Sequence, residues 1–251
     1  MAKMILNENE YLNNILKDHN KNNLQISQTQ LAFLLAKKYK NYNDVSKEMK
    51  KFQFDKYYEI NWQDTINKFC DMAEKHNLDL KDYGYIPLYE HELENIKKCE
   101  KNKDKKLLFT IYIIARYKNK EVGSKDNFYR IDKTLLKKDL FEYANIRGTK
   151  KDNALLINKL WKENFIEQNF INDDISISVK LENQGEEALK VKTLENLGNQ
   201  IIAFLNPKTY KQCSICGKLI RIKGRNSQYC EQCARKMELE KKKKWWNNNM
   251  K

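Results

Sequence analysis

Two CxxC pairs near the carboxyl end hold the residues whose types and spacing can do chemistry. Cys213 and Cys216 form the first pair, Cys230 and Cys233 form the second, and residues 217–229 lie between them. Four thiolates at this spacing can converge on one ion and complete the tetrahedron that zinc adopts in structural sites. Because a filled tetrahedron leaves no position for water or substrate, we expect one structural Zn²⁺ ion.

The residues around these cysteines predict the type of metal module. Leu219, Ile220 and Ile222 favour a strand, residues 223–226 favour a hairpin turn, and the residues after Cys233 favour a helix. A knuckle, a hairpin and a second CxxC at the head of a helix are typical of a treble clef rather than a plain zinc ribbon. A pair of disulfides is the alternative, although a lysine-rich chain without a secretory signal is expected in a reducing compartment.

No catalytic constellation is recognisable in the sequence. Nucleases built on a treble clef use a histidine beside the motif, but the histidines here are His19, His76 and His91, all far from the cysteines. The His91-Glu92 pair lacks the second histidine of a zinc protease, and there is no glycine-rich phosphate loop. We therefore expect a protein that is not an enzyme.

The carboxyl-terminal region carries most of the excess positive charge. Residues 208–251 contain 13 Lys and Arg against 3 acids, whereas the whole chain contains 48 against 34. Such a block is typical of contacts with a nucleic-acid backbone, and a solvated basic tail is the alternative. Two tryptophans follow a lysine run and could stack on bases or pack on the metal module. The candidate contacts are Arg221, Lys223, Arg225, Arg235, Lys236, Lys241, Lys242, Lys243, Lys244, Trp245 and Trp246.

Composition and length limit the class of protein. A chain of 251 residues with 41% hydrophobic residues can bury the cores of two or three small domains, and 7 Gly with 2 Pro favour a mainly α protein with small β elements. No stretch approaches the roughly 18 apolar residues of a membrane span, and the amino terminus lacks a signal-peptide core. We expect a cytoplasmic protein with no membrane partner, and the oligomeric state stays open.

Residues 1–100 predict a helical amino-terminal domain. Apolar side chains recur at helical spacing, and Ser27 and Asp44 are placed to cap two of the helices, the second of which runs to Phe54. Pro87 predicts a break, after which residues 88–99 resume as a helix.

Residues 104–183 predict a second domain with a different pattern. Residues 105–119 form a strongly apolar helix, a polar loop around Gly123 follows, and residues 135–146 form another helix with Leu136, Leu140, Phe141 and Ala144 facing inward.

A third helix and a hairpin complete this domain. Thr149, with Asp152 three residues further on, predicts the amino-terminal cap of the third helix. Residues 165–171 and 175–181 then predict a two-stranded hairpin, and the alternation in the second strand predicts one buried face.

This order of helix, helix, turn, helix and hairpin resembles the winged-helix superfamily of DNA-binding domains. The resemblance implies that the third helix lies in a major groove, where asparagine can pair with adenine and lysine can reach guanine or phosphate. With Leu156, Ile157 and Leu160 assigned to the core, the candidate contacts are Lys150, Lys151, Asn153, Asn158 and, nearer the backbone, Lys162. Winged helices also dock proteins, and this alternative stays open because the domain is only weakly basic.

Most of the chain also resembles a group of phage and prophage proteins from AT-rich Gram-positive bacteria. Those proteins pair a helical amino-terminal region with a winged helix and a four-cysteine motif, and the resemblance implies an origin in a mobile element without naming an activity. It is carried by residues 105–119, 140–146, 154–166 and 195–206 and by the two cysteine pairs.

The remaining segments complete the predicted layout. Residues 184–207 form a linker helix, residues 208–236 form the four-cysteine module, and residues 237–251 form a basic helical tail. The leading hypothesis is a non-enzymatic, zinc-containing protein that binds double-stranded DNA in transcription regulation or replication initiation on a mobile element. The alternatives are a protein that binds a host polymerase, replisome or defence complex, and an RNA-binding protein. The target DNA sequence stays open.

Overall fold

A computed structural model of the chain describes residues 3–17, 19, 24, 26–52, 54, 59–123, 128–131, 140–171, 174–181, 185–215, 219–222 and 227–249. These residues form mainly α-helices with three small β-sheets, as the sequence predicts. The chain divides into two compact units, residues 1–86 with 191–194, and residues 87–190 with 195–251.

The first unit is a helical bundle. Its helices are α1 (Glu8–Leu16), α2 (Gln28–Tyr39), α3 (Tyr42–Lys51) and α4 (Glu59–Lys75). Apolar side chains from all four helices meet in one core, with α2 at its centre, and this burial is the main force that holds the bundle. The buried residues of the core include Leu12, Leu31, Leu34, Leu35, Val45, Phe52 and Ile66.

Two caps in this bundle test the sequence prediction. Ser27 Oγ accepts a hydrogen bond from the N–H of Gln30 at 3.2 Å, so the predicted cap of α2 is confirmed. The predicted cap at Asp44 is wrong, because Asn41 Oδ1 accepts from the N–H of Asp44 at 2.9 Å and Asn41 is the N-cap of α3. Asp44 lies in the first turn, where the helix dipole favours a negative charge, and α3 ends at Lys51 rather than Phe54.

The rest of the chain begins with a short strand rather than a helix. Strand β1 (Ile86–Tyr89) pairs with β5 (Glu187–Val191) in a two-stranded sheet, and α5 (Glu90–Lys98) follows β1. The prediction of a helix from Leu88 onward is therefore wrong at its start, because Leu88 lies in β1. Glu92 Oε2 accepts the N–H of Tyr89 at 3.0 Å and helps to start α5.

A long buried helix organises the second unit. Helix α6 (Asn102–Val122) is buried on every side from Leu107 to Tyr117, so its middle needs neighbours all round. The elements that pack against it include α5, β2 (Phe128–Ile131), α7 (Leu140–Tyr143), α8 (Lys150–Lys162) and α9 (Leu197–Leu205). The predicted inward residues Leu140, Phe141 and Ala144 are buried, and Leu136 lies outside the described residues.

A three-stranded sheet follows α8. The predicted hairpin is present as β3 (Glu167–Ile171) and β4 (Asp174–Lys180), and β2 pairs with the other edge of β4, although the sequence predicted no strand there. The prediction of a single buried face is wrong, because Ser176 and Ser178 are buried as well as Ile177 and Val179. A central strand is covered on both faces, and small serines fit the second one.

Helix α9 crosses close to the end of α7. A Cβ atom at Gly198 would lie 1.8 Å from the carbonyl oxygen of Ala144, so only glycine permits this approach. Lys106 Nζ on α6 donates to Asn199 Oδ1 at 2.8 Å. The chain then forms β6 (Tyr210–Gln212), β7 (Leu219–Arg221) and the long helix α10 (Glu231–Asn249).

Candidate metal centre and nucleic-acid interface

Three of the predicted metal ligands lie together in the carboxyl-terminal module. Cys213 follows β6, Cys230 lies just before α10, and Cys233 lies in the first turn of α10. Their Sγ atoms all lie within 4.8 Å of one another, and the three side chains are buried. This cluster could hold a metal ion. The fourth predicted ligand, Cys216, lies outside the described residues.

The geometry of the cluster fits a thiolate-bound ion. A tetrahedral ion with metal–sulfur distances of about 2.3 Å holds its sulfurs roughly 3.8 Å apart, and the sulfurs here all lie within 4.8 Å of one another. Cys213 Sγ accepts the N–H of Cys230 at 3.2 Å, and Cys230 Sγ accepts the N–H of Cys233 at 3.4 Å. These donors stabilise negative charge on sulfur, and Ile220 packs against the cluster.

Backbone pairing brings the cysteine-bearing segments side by side. Strands β6 and β7 are antiparallel, with Gln212 opposite Leu219. The N–H of Ser214, next to Cys213, donates to the carbonyl of Gln228 at 3.1 Å, two residues before Cys230. The hairpin and the start of α10 are therefore held together by the chain itself, so an ion would enter a site that is partly assembled.

The basic residues of the module differ in whether they form ion pairs. Arg235 pairs with Glu231 at 2.6 Å, and Lys242 lies 3.6 Å from Glu238, so part of their charge is neutralised on α10. Lys236, Lys241 and Lys243 are exposed and form no ion pair among the described residues. Arg221 is exposed at the end of β7. Lys223, Arg225 and the side chain of Lys244 lie outside what is described.

Both predicted tryptophans are exposed on α10. Trp245 has 63% of its surface exposed and Trp246 has 54%. Their ring centroids lie 6.3 Å apart with an interplanar angle of 84°. The rings therefore do not pack back onto the metal cluster, which the sequence left as an alternative.

The third helix of the predicted DNA-binding domain is α8, and its cap is the one predicted. Thr149 Oγ1 accepts the N–H of Asp152 at 3.2 Å, and Asp152 Oδ2 accepts the N–H of Thr149 at 2.9 Å. Hydrogen bonds from the Thr149 N–H and hydroxyl lower the pKa of Asp152. The acid is therefore held in its charged form at the positive end of the helix dipole.

The predicted contacts on α8 are not equally accessible. Lys150, Lys151, Asn158 and Lys162 are exposed. Asn153 is half-buried, and among the described residues its Oδ1 atom is buried without a hydrogen-bond partner. The acceptor oxygen of Asn153 thus points away from solvent.

An exposed apolar side chain on α8 was not among the sequence candidates. Leu155 has 58% of its surface exposed, whereas Ile157 and Leu160 are buried as predicted. Lys151, Leu155, Asn158 and Lys162 stand at spacings of four, three and four residues, so they form one stripe along the helix. We call these four residues the outward stripe. Its middle is one apolar and one amide side chain, and its ends are lysines.

An ion pair beside the outward stripe helps to hold α8 against α6. Lys159 Nζ contacts Asp104 Oδ2 of α6 at 2.5 Å, and Asp104 is 1% exposed. The hydrogen bond to Asp104 raises the pKa of Lys159. Lys159 lies about 70° around the helix from the centre of the stripe, between the stripe and the buried Leu160.

Comparisons with protein-family models, with curated proteins and with solved structures find no match for this chain. Within the described part of the chain, every helix is too short or too polar to cross a membrane. The interpretation of both candidate surfaces therefore depends on their own geometry and chemistry.

Proposed function

We propose that the chain is a non-enzymatic, zinc-containing DNA-binding protein in which α8 enters the major groove of a duplex and the basic carboxyl-terminal module contacts its phosphates. The observation that carries this proposal is the outward stripe of α8. Lysines at both ends are suited to phosphates, and Leu155 with Asn158 between them is suited to base edges.

The elements around α8 support a winged helix. The order α6, β2, α7, α8, β3, β4, with β4 between β2 and β3, is the one expected for three helices followed by a wing. In such a domain the third helix is the one that enters the groove. Its cap at Thr149 and its ion pair with Asp104 hold it in one orientation before DNA arrives.

The dimensions of the stripe agree with a major groove. Eleven residues of helix place the Cα atoms of Lys151 and Lys162 about 16 Å apart along the axis, and the groove is about 12 Å wide. The two lysines therefore reach the flanking phosphates while the middle of the stripe faces bases. Asn158 suits adenine N6 and N7, and Leu155 suits the methyl group of thymine.

One structural zinc ion completes the carboxyl-terminal module in this proposal. Cys213, Cys230 and Cys233 hold it together with Cys216, and four thiolates leave no position for a substrate. The ion fixes β6, β7 and the start of α10 relative to one another. The module then presents Arg221, Lys236, Lys241 and Lys243 as cations for the phosphate backbone.

The two surfaces divide the work of recognition. The outward stripe supplies sequence preference, and the basic module supplies affinity that is independent of sequence. This combination fits a regulator of transcription or a replication initiator, and the role proposed for it is on a mobile element, as the resemblance of the sequence to phage and prophage proteins implies.

A salt titration of the zinc-loaded chain tests the proposal. The probe is a labelled duplex of about 24 base pairs enriched by the protein from a randomised pool, measured by anisotropy between about 50 and 200 mM KCl. We expect a steep loss of affinity with salt, and replacing Lys151 and Lys162 with alanine should reduce the slope by about two. Asn158→Ala should reduce the preference for the enriched duplex over random DNA by about tenfold.

A matched control removes the same charge elsewhere. Lys47 and Lys50 are exposed on α3, and replacing both with alanine should leave the slope nearly unchanged. An absence of duplex binding at low salt would contradict the proposal. So would a slope that changes equally in the two double variants.

A second candidate function is favoured by the apolar character of α8. Leu155 is 58% exposed and Trp161 is 42% exposed, and such side chains also suit a protein partner. Under this alternative, the chain binds a host polymerase, replisome or defence complex. Replacing Leu155 and Trp161 with alanine would then abolish a stoichiometric complex with that partner while duplex affinity stayed the same.

A further inference from the structure

Helix α10 extends well beyond the metal cluster. Its 19 residues span about 28 Å. After Cys233, every side chain up to Trp246 whose burial is described is exposed, except Met237, which is half-buried. Three large apolar side chains, Leu239, Trp245 and Trp246, are each more than half exposed. Exposing so much apolar surface is unfavourable, so the end of this helix is suited to a ligand.

The charge distribution argues against a membrane surface as that ligand. Residues 241–244 are four consecutive lysines, and successive helical residues are turned by about 100°. Lys241, Lys242 and Lys243 are all exposed, so positive charge lies on more than one side of the helix. A helix that lies in a membrane interface needs one continuous apolar face, and the described side chains of α10 form none.

The spacing of the apolar residues argues against a protein groove. Leu239 and Trp246 are seven residues apart and lie on one side of the helix. The positions between them on that side are Lys242 and Lys243, where a groove-binding helix would carry its other apolar anchors. The apolar surface is thus broken by charge.

Unpaired nucleobases fit both features of the helix. Indole rings stack on base faces, and neighbouring lysines attract the phosphates that connect the bases. The two indole planes meet at 84°, so they cannot clamp one base between parallel rings. Each ring instead offers a separate stacking surface. The faces of paired bases inside a duplex are already covered by their neighbours, so the bases must be unpaired.

We propose that Trp245 and Trp246 are a stacking site for unpaired DNA bases, with Lys241 and Lys243 on the connecting phosphates. This inference rests on the proposed function, and it extends it from duplex DNA to DNA that carries a single-stranded segment beside the duplex. A protein that binds both would prefer forked or locally opened DNA over a closed duplex.

The test separates bases from phosphates. The zinc-loaded full chain is titrated into a labelled oligothymidylate of about 12 nucleotides and into an abasic strand of the same length, which has the same charge and no bases. We expect the oligothymidylate to bind about tenfold more tightly for each stacked base. Trp245→Ala and Trp246→Ala should each lose about tenfold on the oligothymidylate and nothing on the abasic strand.

The control is another exposed apolar residue of the same helix. Leu239→Ala should change neither affinity, and Trp246→Phe should restore most of what Trp246→Ala loses, because a phenyl ring can also stack. Equal affinity of the wild-type chain for the two strands would overturn the inference. An equal loss on both strands in the tryptophan variants would overturn it too, since that pattern indicates a role in holding α10.

Two further measurements identify the ligand and separate its binding from duplex binding. An oligouridylate that binds no more tightly than the oligothymidylate supports DNA, and a tenfold preference for the oligouridylate overturns that assignment. The duplex titration of α8 variants does not involve the tryptophans. Duplex binding that persists without any preference for bases over the abasic strand therefore removes the stacking site and leaves the proposed function standing.

Discussion

The buried ion pair between α5 and α6 offers a quantitative test of the second unit. Arg116 Nη2 contacts Glu92 Oε1 at 2.5 Å, and the two residues are 4% and 1% exposed. The guanidinium also lies 4.7 Å from the ring centroid of Tyr89. Replacing Arg116 with methionine keeps most of the volume but leaves the carboxylate buried without its cation. Breaking a buried pair in this way costs about 3 to 5 kcal/mol of folding free energy.

A companion change should recover most of that loss. Glu92→Gln removes the charge, and its side-chain oxygen can still accept the N–H of Tyr89, which Glu92 accepts at 3.0 Å. The double variant Glu92→Gln with Arg116→Met should therefore lie within about 2 kcal/mol of the wild type. Lys97→Ala, which breaks the exposed pair with Glu94 on the same α5, should change stability little.

The effect should depend on pH with a definite sign. Burial raises the pKa of Glu92 above its usual value near 4.5, against the opposing influence of Arg116 and the Tyr89 N–H. Without Arg116 this pKa rises further, so the folded state binds a proton that the unfolded state releases. The Arg116→Met variant should then lose stability as the pH rises from the pKa of Glu92 in the unfolded chain through its higher pKa in the folded chain. The loss relative to wild type should be smaller at pH 5 than at pH 8.

Urea unfolding followed by far-ultraviolet circular dichroism measures these differences, and hydrogen exchange of α5 and α6 amides assigns them to the second unit. Two results would refute the reasoning. One is a loss in Arg116→Met that is the same at pH 5 and pH 8. The other is a double variant no more stable than the single one.

Three further changes test the metal centre and two local contacts. Cys230→Ala should reduce the zinc content of the purified chain from one ion to none, measured by mass spectrometry of the metal, because three thiolates hold the ion weakly; retention of a full equivalent would contradict the four-thiolate site. Thr149→Ala should cost about 1 kcal/mol in urea unfolding, since α8 loses its cap. Gly198→Ala should cost about 3 kcal/mol or more, because its Cβ would lie 1.8 Å from the Ala144 carbonyl oxygen; an unchanged unfolding midpoint would show that α9 does not approach α7 so closely.

The features that the sequence predicted well depend on residues close together in the chain. A capping box joins residues three apart, so Thr149 and Asp152 carry the whole signal for the start of α8. Ser27 acts within the same short range for α2. The spacing of the cysteines likewise predicted that Cys213 would lie near Cys230 and Cys233.

The features that the sequence missed depend on partners far away in the chain. Strand β1 pairs with β5, nearly a hundred residues later, and β2 pairs with β4 across about fifty. The missed strands β1, β2 and β5 have only four or five residues, too few for an alternating pattern to distinguish them from loop or helix. Their strand conformation is decided by the neighbour that completes their hydrogen bonds.

The outward stripe shows where helical periodicity loses precision. Successive residues of a helix are turned by about 100° about its axis. A small rotation of α8 therefore decides whether Leu155 or Leu156 is exposed, and the spacing of the apolar residues does not define that rotation. The sequence assigned Leu156 to the core and made no prediction for Leu155. In the structure Leu156 is half-buried and Leu155 is exposed.

Polar residues of α6 supply the directional information that apolar packing lacks. Asp104 contacts Lys159 of α8, Lys106 contacts Asn199 of α9, and Arg116 contacts Glu92 of α5. Apolar burial holds these helices against α6 but tolerates rotation, because it has little dependence on direction. A buried carboxylate, in contrast, is stabilised only when its cation lies in one place. The contact of Asp104 with Lys159 therefore limits the rotation of α8 against α6, and any DNA contact made by the neighbouring Leu155 and Asn158 depends in part on this buried acid.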